Sequence, residues 1–258
     1  MPEISLEQIQ VFLLIFLRVG AVIVFLPVLG DRNVSVKIKG GLALLISALL
    51  FPHIAANAAN AGFDIFSLFF RMGTEVLIGA AIGFTSQLLF CGIQMAGQLI
   101  GYQMGFSIAN VIDPASSEQV SIISEFMYLL MLLIFLAFNG HHIFISALAR
   151  SFQAVPVLGY AFTGQLPGGI TDMLKGLFEV AVKIGAPVMA LMFFITIGMG
   201  LIARTVPQIN IFIIGFPLQI AIGLVGLGLT MPFLLTLAGR YVLDLERQVG
   251  MVLTLIKS

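Results

Sequence analysis

The histidine pair His141-His142, the single cysteine Cys91 and the charged side chains Arg18, Arg71, Glu75, Glu179 and Lys183 carry most of the reactive chemistry in this sequence. Adjacent histidines on a helix point about 100° apart, so the two rings do not easily share one metal ion, and no third ligand lies nearby in sequence. Cys91 stands in an apolar run and, being alone, builds neither a disulfide framework nor a cysteine metal cluster within one chain. Arg18 falls in the middle of another apolar run, where a charged side chain is expensive and faces a partner or an aqueous cavity. A structural ion pair or a carbonyl contact is the simpler reading, ahead of a transport role. Arg71 and Glu75, and again Glu179 and Lys183, are four apart and fit pairs on one helical face. Carboxylates do not cluster deep in any run, as a proton relay would require. A Gly-x-Ser-x-Gly elbow, a Walker sequence and a His-Glu-x-x-His pair are all missing from the sequence. Catalysis, a cofactor and a resident metal therefore have no visible seat.

The elements that must hold these residues are apolar. Of 258 residues 60% are hydrophobic and only 9% charged, and the mean hydropathy is +1.13. An average soluble domain has roughly 25% charged residues, so a soluble enzyme is excluded. Twelve basic residues balance twelve acidic ones, which leaves no basic field to hold a nucleic-acid backbone. Glu3 and Glu7 stand where a secretory signal would be positive, so the first apolar run is expected to be kept.

A helix needs about 20 apolar residues to cross the hydrocarbon layer. By that measure the candidate spans are six: Ile9–Leu29, Gly40–Gly62, Val76–Ile112, Phe126–Ala149, Ile184–Ala203 and Thr205–Gly239. The fold class expected is an all-α integral membrane protein. Two runs are too long for ordinary spans. As one helix, Val76–Gly105 would measure roughly 45 Å against about 30 Å of hydrocarbon. Thr205–Gly239 is interrupted by Pro207, Pro217 and Pro232 and reads better as a hairpin of two helices. Basic residues do not settle an orientation. Alternating connectors put Arg32, Lys37, Lys39 and Arg204 on one side and Arg71, Arg150, Lys175, Lys183, Arg240, Arg247 and Lys257 on the other, yet the densest cluster is in the first loop.

In the long third run Gly79, Gly83, Gly97 and Gly101 recur beside Gln87, Gln94 and Gln98. At 100° per residue all seven fall within an arc of about 100°. Small residues let backbones approach and amides bond across the contact, so the face serves helix packing or, more specifically, contact with several identical neighbours or a polar passage. The run then becomes an apolar loop with Met104, Phe106, Ile108, Val111 and Ile112, and Pro114 disfavours helix at Asp113, where the helix is expected to end. Such a loop must be buried in protein, either as a re-entrant turn or as a constriction. Further on, the stretch Gly198 to Pro217, through Arg204, Pro207, Gln208 and Gly215, has the form of helix, tight polar corner, helix.

Four stretches taken together resemble the FliR/SctT family of type III secretion export-gate subunits. They are Leu26-Pro-Val-Leu-Gly-Asp-Arg32; Gly97-Gln-Leu-Ile-Gly-Tyr-Gln-Met-Gly-Phe-Ser107 through Asp113-Pro114; Phe138-Asn-Gly-His141 with Ser151-Phe152 and Pro156; and Ala203-Arg-Thr-Val-Pro-Gln-Ile-Asn-Ile-Phe-Ile-Ile-Gly-Phe-Pro217. The resemblance implies a non-enzymatic subunit of the flagellar export gate in the bacterial inner membrane, at the basal body. It implies partners as well: several copies of FliP and of FliQ, FlhB, unfolded export substrates and membrane lipid, in a helical hetero-oligomer lifted partly out of the bilayer. Residues 1–183 would be FliP-like, and 184–258 a FliQ-like hairpin and tail. The family's channel plug maps onto Phe106–Ser117, with Met104, Phe106, Ile108, Val111, Ile112, Asp113 and Pro114 as the residues concerned. Relatives often have phenylalanine at Ile108 and Val111, so closure here would be mostly aliphatic, and a dewetted constriction blocks ions while staying deformable. A multi-pass small-solute or ion transporter is the competing class, since broken helices are common there. The chain shows no clear internal repeat to support it.

Overall fold

The computed structural model describes residues 5–31, 33–55, 64–106, 121–157, 166–206, 208 and 211–257. Among these the chain forms seven helices and no strand: α1 (Leu6–Phe25), α2 (Val36–Ala55), α3 (Ile65–Gln103), α4 (Ile122–Ala137), α5 (Gly140–Ala154), α6 (Leu166–Thr205) and α7 (Ile211–Lys257). Five are long and apolar enough to cross a membrane, and the pair α4 and α5, broken and bent between Ala137 and Gly140, adds a sixth if it counts as one span. The protein is an all-α membrane protein.

Two compact units divide the chain. The first holds residues 1–88, 139–174 and 242–258. Here α1 begins at a capping box, with the Ser5 hydroxyl accepting from the Gln8 amide and the Gln8 side chain accepting from the Ser5 amide. Its buried face, Val11, Leu14, Ile15, Arg18, Val19, Val22 and Ile23, repeats at helical spacing. The turn after α1 is tied locally. Asp31 accepts from the Asn33 amide at 2.8 Å, and the Lys39 ammonium reaches back to the carbonyls of Gly30 and Asp31 at 2.9 Å each. α2 returns along α1, with Phe12 edge-on to Phe51 at 5.7 Å. Only Ala43 and Ser47 of α2 are buried. The last turns of α7 bury Val242, Leu245, Val249, Val252 and Ile256 on one stripe, and the exposed Glu246 on its flank pairs with Arg150 of α5 at 2.6 Å.

The second unit holds residues 89–138 and 175–241. Phe90 of α3 packs edge-on against Tyr128 and Phe135 of α4, at 5.7 and 5.6 Å. The Ser124 hydroxyl of α4 donates to the Gln94 carbonyl of α3 at 2.9 Å. Leu191 of α6 lies over Gly226 of α7, and the Phe138 ring over Gly239.

Several boundaries differ from those the sequence suggested. α3 starts at Ile65, before Val76, and ends at Gln103 rather than Asp113, because Gly105 supplies an earlier stop. Its 39 residues make a rod of about 58 Å at 1.5 Å per residue. The fourth run is cut at Asn139, whose left-handed backbone (φ 55°, ψ 33°) an asparagine tolerates. α6 begins at Leu166 rather than Ile184, because Glu179 and Lys183 pair one turn apart and continue the helix. Finally, Thr205–Gly239 is not a hairpin in itself. α6 ends at Thr205 and α7 begins at Ile211, and α7 runs without a break through Pro217 and Pro232. Each proline removes one backbone bond and the remaining turns carry the helix across. Around Pro232 the Thr236 hydroxyl takes up the proline's carbonyl at 2.9 Å.

Candidate functional site

α3 organises the residues singled out above, and glycine is what lets it do so. A side chain at Gly79 would stand 2.4 Å from the Arg18 carbonyl, and one at Gly83 would stand 2.5 Å from the Phe25 Cβ, both on α1. Further along, a Cβ at Gly97 would meet the Ser124 Cα at 2.7 Å, and one at Gly101 the Ser121 Oγ at 2.1 Å. Such separations are not accessible to a real side chain, so Gly79, Gly83 and Gly97 mark places where backbone meets backbone or its nearest carbon, and Gly101 one where it meets the Ser121 side chain. The glycine half of the predicted face is thus occupied by the chain's own α1 and by the start of α4. The glutamines are less enclosed: Gln87 and Gln94 are half-buried and Gln98 is exposed.

The end of α3 is a Schellman turn. Gly105 takes φ +87°, the Gly105 amide donates to the Tyr102 carbonyl, and the Phe106 amide donates to the Gly101 carbonyl, both at 3.1 Å. Met104 beside it is fully buried and lies over Gly223 of α7, with three of its side-chain atoms within 3 Å of where a Cβ would stand. A Cβ on Gly105 would reach the Phe216 ring at 2.9 Å and lie 3.6 Å from Gln219 Oε1. The base of the apolar loop is therefore seated on α7, one to four turns after the corner. Of the predicted loop residues, Met104 is buried and Phe106 half-buried. Ile108, Val111, Ile112, Asp113 and Pro114 lie outside the described residues. At the corner, Arg204 is exposed in the last turn of α6, where a cation suits the helix dipole. Gln208 and Pro217 are exposed and Gly215 is buried. Pro207 lies outside the described residues.

Arg18 is fully buried, and so is its partner Glu75. Its Nε donates to Glu75 Oε2 at 2.5 Å and Nη2 donates to Oε1 at 3.0 Å, a two-pronged pairing. Nη1 donates to the Val155 carbonyl at 3.0 Å and to Ser151 Oγ at 3.3 Å. The Phe152 ring lies 4.2 Å from the guanidinium carbon. An unpaired arginine at the centre of a spanning helix costs about 2.5–3.5 kcal/mol on insertion scales, which these contacts offset. The four-residue spacing offers Arg71 as the partner of Glu75, and its charge does act on that carboxylate; the hydrogen bonds of the carboxylate go to Arg18, while Arg71 Nη1 reaches toward the Val157 carbonyl at 3.5 Å. Ser151 and Phe216 fall in the motif stretches but nothing there indicated what they touch, and sequence reasoning missed Val155 and Gln219. Only Arg18 carried a signal for its partners, since a charge in an apolar helix requires one.

Among the described residues no group of three histidine, cysteine or acidic side chains is placed to hold a metal. The rings of His141 and His142 stand beside one another at 4.3 Å. The arrangement is one of close backbone packing and a satisfied buried charge, which positions helices.

The sequence profile described as "Bacterial export proteins, family 1" matches residues 9–245. The chain is 35% identical over 218 residues to the flagellar biosynthetic protein FliR of Escherichia coli K12, covering 84% of this chain and 83% of that protein. It is 34% identical over 225 residues to FliR of Bacillus subtilis, covering 85% of each. With FliR of Aquifex aeolicus the identity is 27% over 235 residues, covering 91% and 90%.

The glycine contacts make a direct prediction for the isolated subunit. Gly83→Leu and Gly97→Leu force α3 away from its neighbours and should cost about 3 kcal/mol or more, at or beyond the usual range for overpacking. Gly73, which has nothing within 4 Å, should accept leucine without loss. Thermal unfolding in mild detergent measures the difference; equal midpoints for all three variants would remove the packing role of these glycines.

Proposed function

The chain belongs to family 1 of the bacterial export proteins, whose named relatives are flagellar biosynthetic proteins, and from this premise we propose that it is a core subunit of the flagellar type III export gate. It stands with several copies of FliP and FliQ, and with FlhB, around the conduit by which unfolded flagellar proteins cross the inner membrane at the basal body. Its contribution is structural and it catalyses nothing. Residues 1–183 play the FliP-like part and 184–258 the FliQ-like part, and the segment 106–117 closes the resting channel.

The observation that carries this reading is the match across residues 9–245, which takes in both the end of α3 and the corner between α6 and α7. The character of the outer surface supports it. α2 and α6 bury only 11% of their most apolar windows, against 61% for α3. Phe193, Phe194, Leu201, Ile213 and Leu229 are all exposed. Apolar side chains of this kind need lipid or other apolar helices beside them, and neighbouring subunits supply the latter.

Native mass spectrometry of the tagged chain, purified after expression with its neighbouring membrane genes, should find one copy bound to several copies of two other small hydrophobic proteins. A stable monomer or homodimer in their presence contradicts the proposal. Deleting residues 106–117 should let the assembled gate leak ions, read as loss of membrane potential in cells; a tight membrane with normal complex yield removes the closing role.

A further inference from the structure

We infer that Arg18 is a three-way strap which makes the C-terminal end of α5 depend on the pairing of α1 with α3, so that the first unit closes as a whole. The function proposed above does not use this residue, and the inference stands independently of it. One planar guanidinium reaches three segments far apart in sequence. Two of its nitrogens are spent on Glu75, 57 residues later in α3. The third, Nη1, reaches Ser151 and Val155, 133 and 137 residues later.

The second set of contacts has a specific meaning. Val155 is the C-cap residue of α5, and its amide still bonds back to the Ser151 carbonyl at 2.8 Å. The last carbonyls of a helix have no partner within it, and in apolar surroundings they must find one elsewhere. The Val155 carbonyl finds Arg18. A cation at that end also meets the negative pole of the helix dipole. Arg18 thus caps α5 from another helix, with Phe152 of the final turn against the guanidinium face.

The cap and the ion pair share one rigid group. Nη1 stays on α5 only while Glu75 holds Nε and Nη2, because the three nitrogens lie in one plane and turn together. Loss of the Glu75 carboxylate frees the fork to turn and leaves a buried charge unbalanced. The end of α5 then loosens although Glu75 makes no contact with Ser151 or Val155 among the bonds described. A lysine cannot take over, since a single ammonium on a flexible stem does not bridge a carboxylate and a helix end in a fixed plane.

The test uses the full chain in mild detergent, with hydrogen exchange read by mass spectrometry at the amides of residues 151–155 and, as an internal reference, at those of α4. Glu75→Gln and Arg18→Lys should each speed exchange at 151–155 by about tenfold or more while α4 changes little, in line with the cost of breaking a buried pair from one side. The double variant Arg18→Met with Glu75→Met carries no unpaired charge, so it should accumulate in membranes to within about twofold of the native chain. Its α5 end should still exchange fast, because the cap is gone. If the single variants do not accumulate, the double variant decides alone. Native-like exchange at 151–155 in Glu75→Gln or in the double variant overturns the strap.

Discussion

A long apolar helix can be gripped tightly by its neighbours only where it lacks side chains, and that constraint governs this fold. α3 has four such places on one face, and α1 fills two of them and the start of α4 the other two. In lipid there is no water to drive helices together, so close backbone contact and satisfied polar groups must do so. The Ser124 hydroxyl on the Gln94 carbonyl adds one such polar tie beside Gly97. The Arg18 cluster adds another beside Gly79, whose own closest neighbour is the Arg18 carbonyl. Glycine contact and buried charge therefore occupy the same stretch of α1.

The other long helices bury only part of their apolar surface. α6 and α7 contribute Val180, Ala181, Ile184, Val188, Met192, Leu227, Leu234 and Ala238 to the buried interior. Many of their other apolar side chains, Phe193, Phe194, Leu201, Ile213 and Leu229 among them, are exposed, as are Val36, Ile38, Leu44, Leu45 and Leu49 on α2. α3, α6 and α7 measure 39, 40 and 47 residues, each well beyond what one bilayer requires. Both features are the ones the proposed assembly with other apolar helices calls for, and the family to which the chain belongs is one of export proteins.

How much of this was legible in the sequence follows the reach of each signal. Apolar run length is a local property, and it located all the long helices. The glycine face was legible because helical periodicity is local too, whereas the identity of the helices that fill it was not. Arg18 announced that it needed partners. Glu75 could not be named, because the nearby Arg71 satisfied the same short-range rule, and nothing local ties position 18 to 155. Helix ends were misread where two stop signals competed. Gly105 ended α3 before Pro114 could, and Pro217 and Pro232 stopped nothing, since a long helix survives single missing bonds. The charges between the spans Phe126–Ala149 and Ile184–Ala203 interrupt the apolar pattern, yet Glu179 and Lys183 pair one turn apart and α6 forms through the second half of that stretch.

In the assembly proposed above, other subunits cover the exposed apolar faces of α6 and α7. The chain contains no tryptophan, so one introduced at Phe194 or at Leu229 reports its surroundings alone. Brominated lipid should quench that fluorescence strongly in the isolated subunit, where both positions are exposed, and weakly once the subunit is purified with its co-expressed partners. Equally strong quenching in both preparations would mean that lipid covers these faces throughout, and the account would fail.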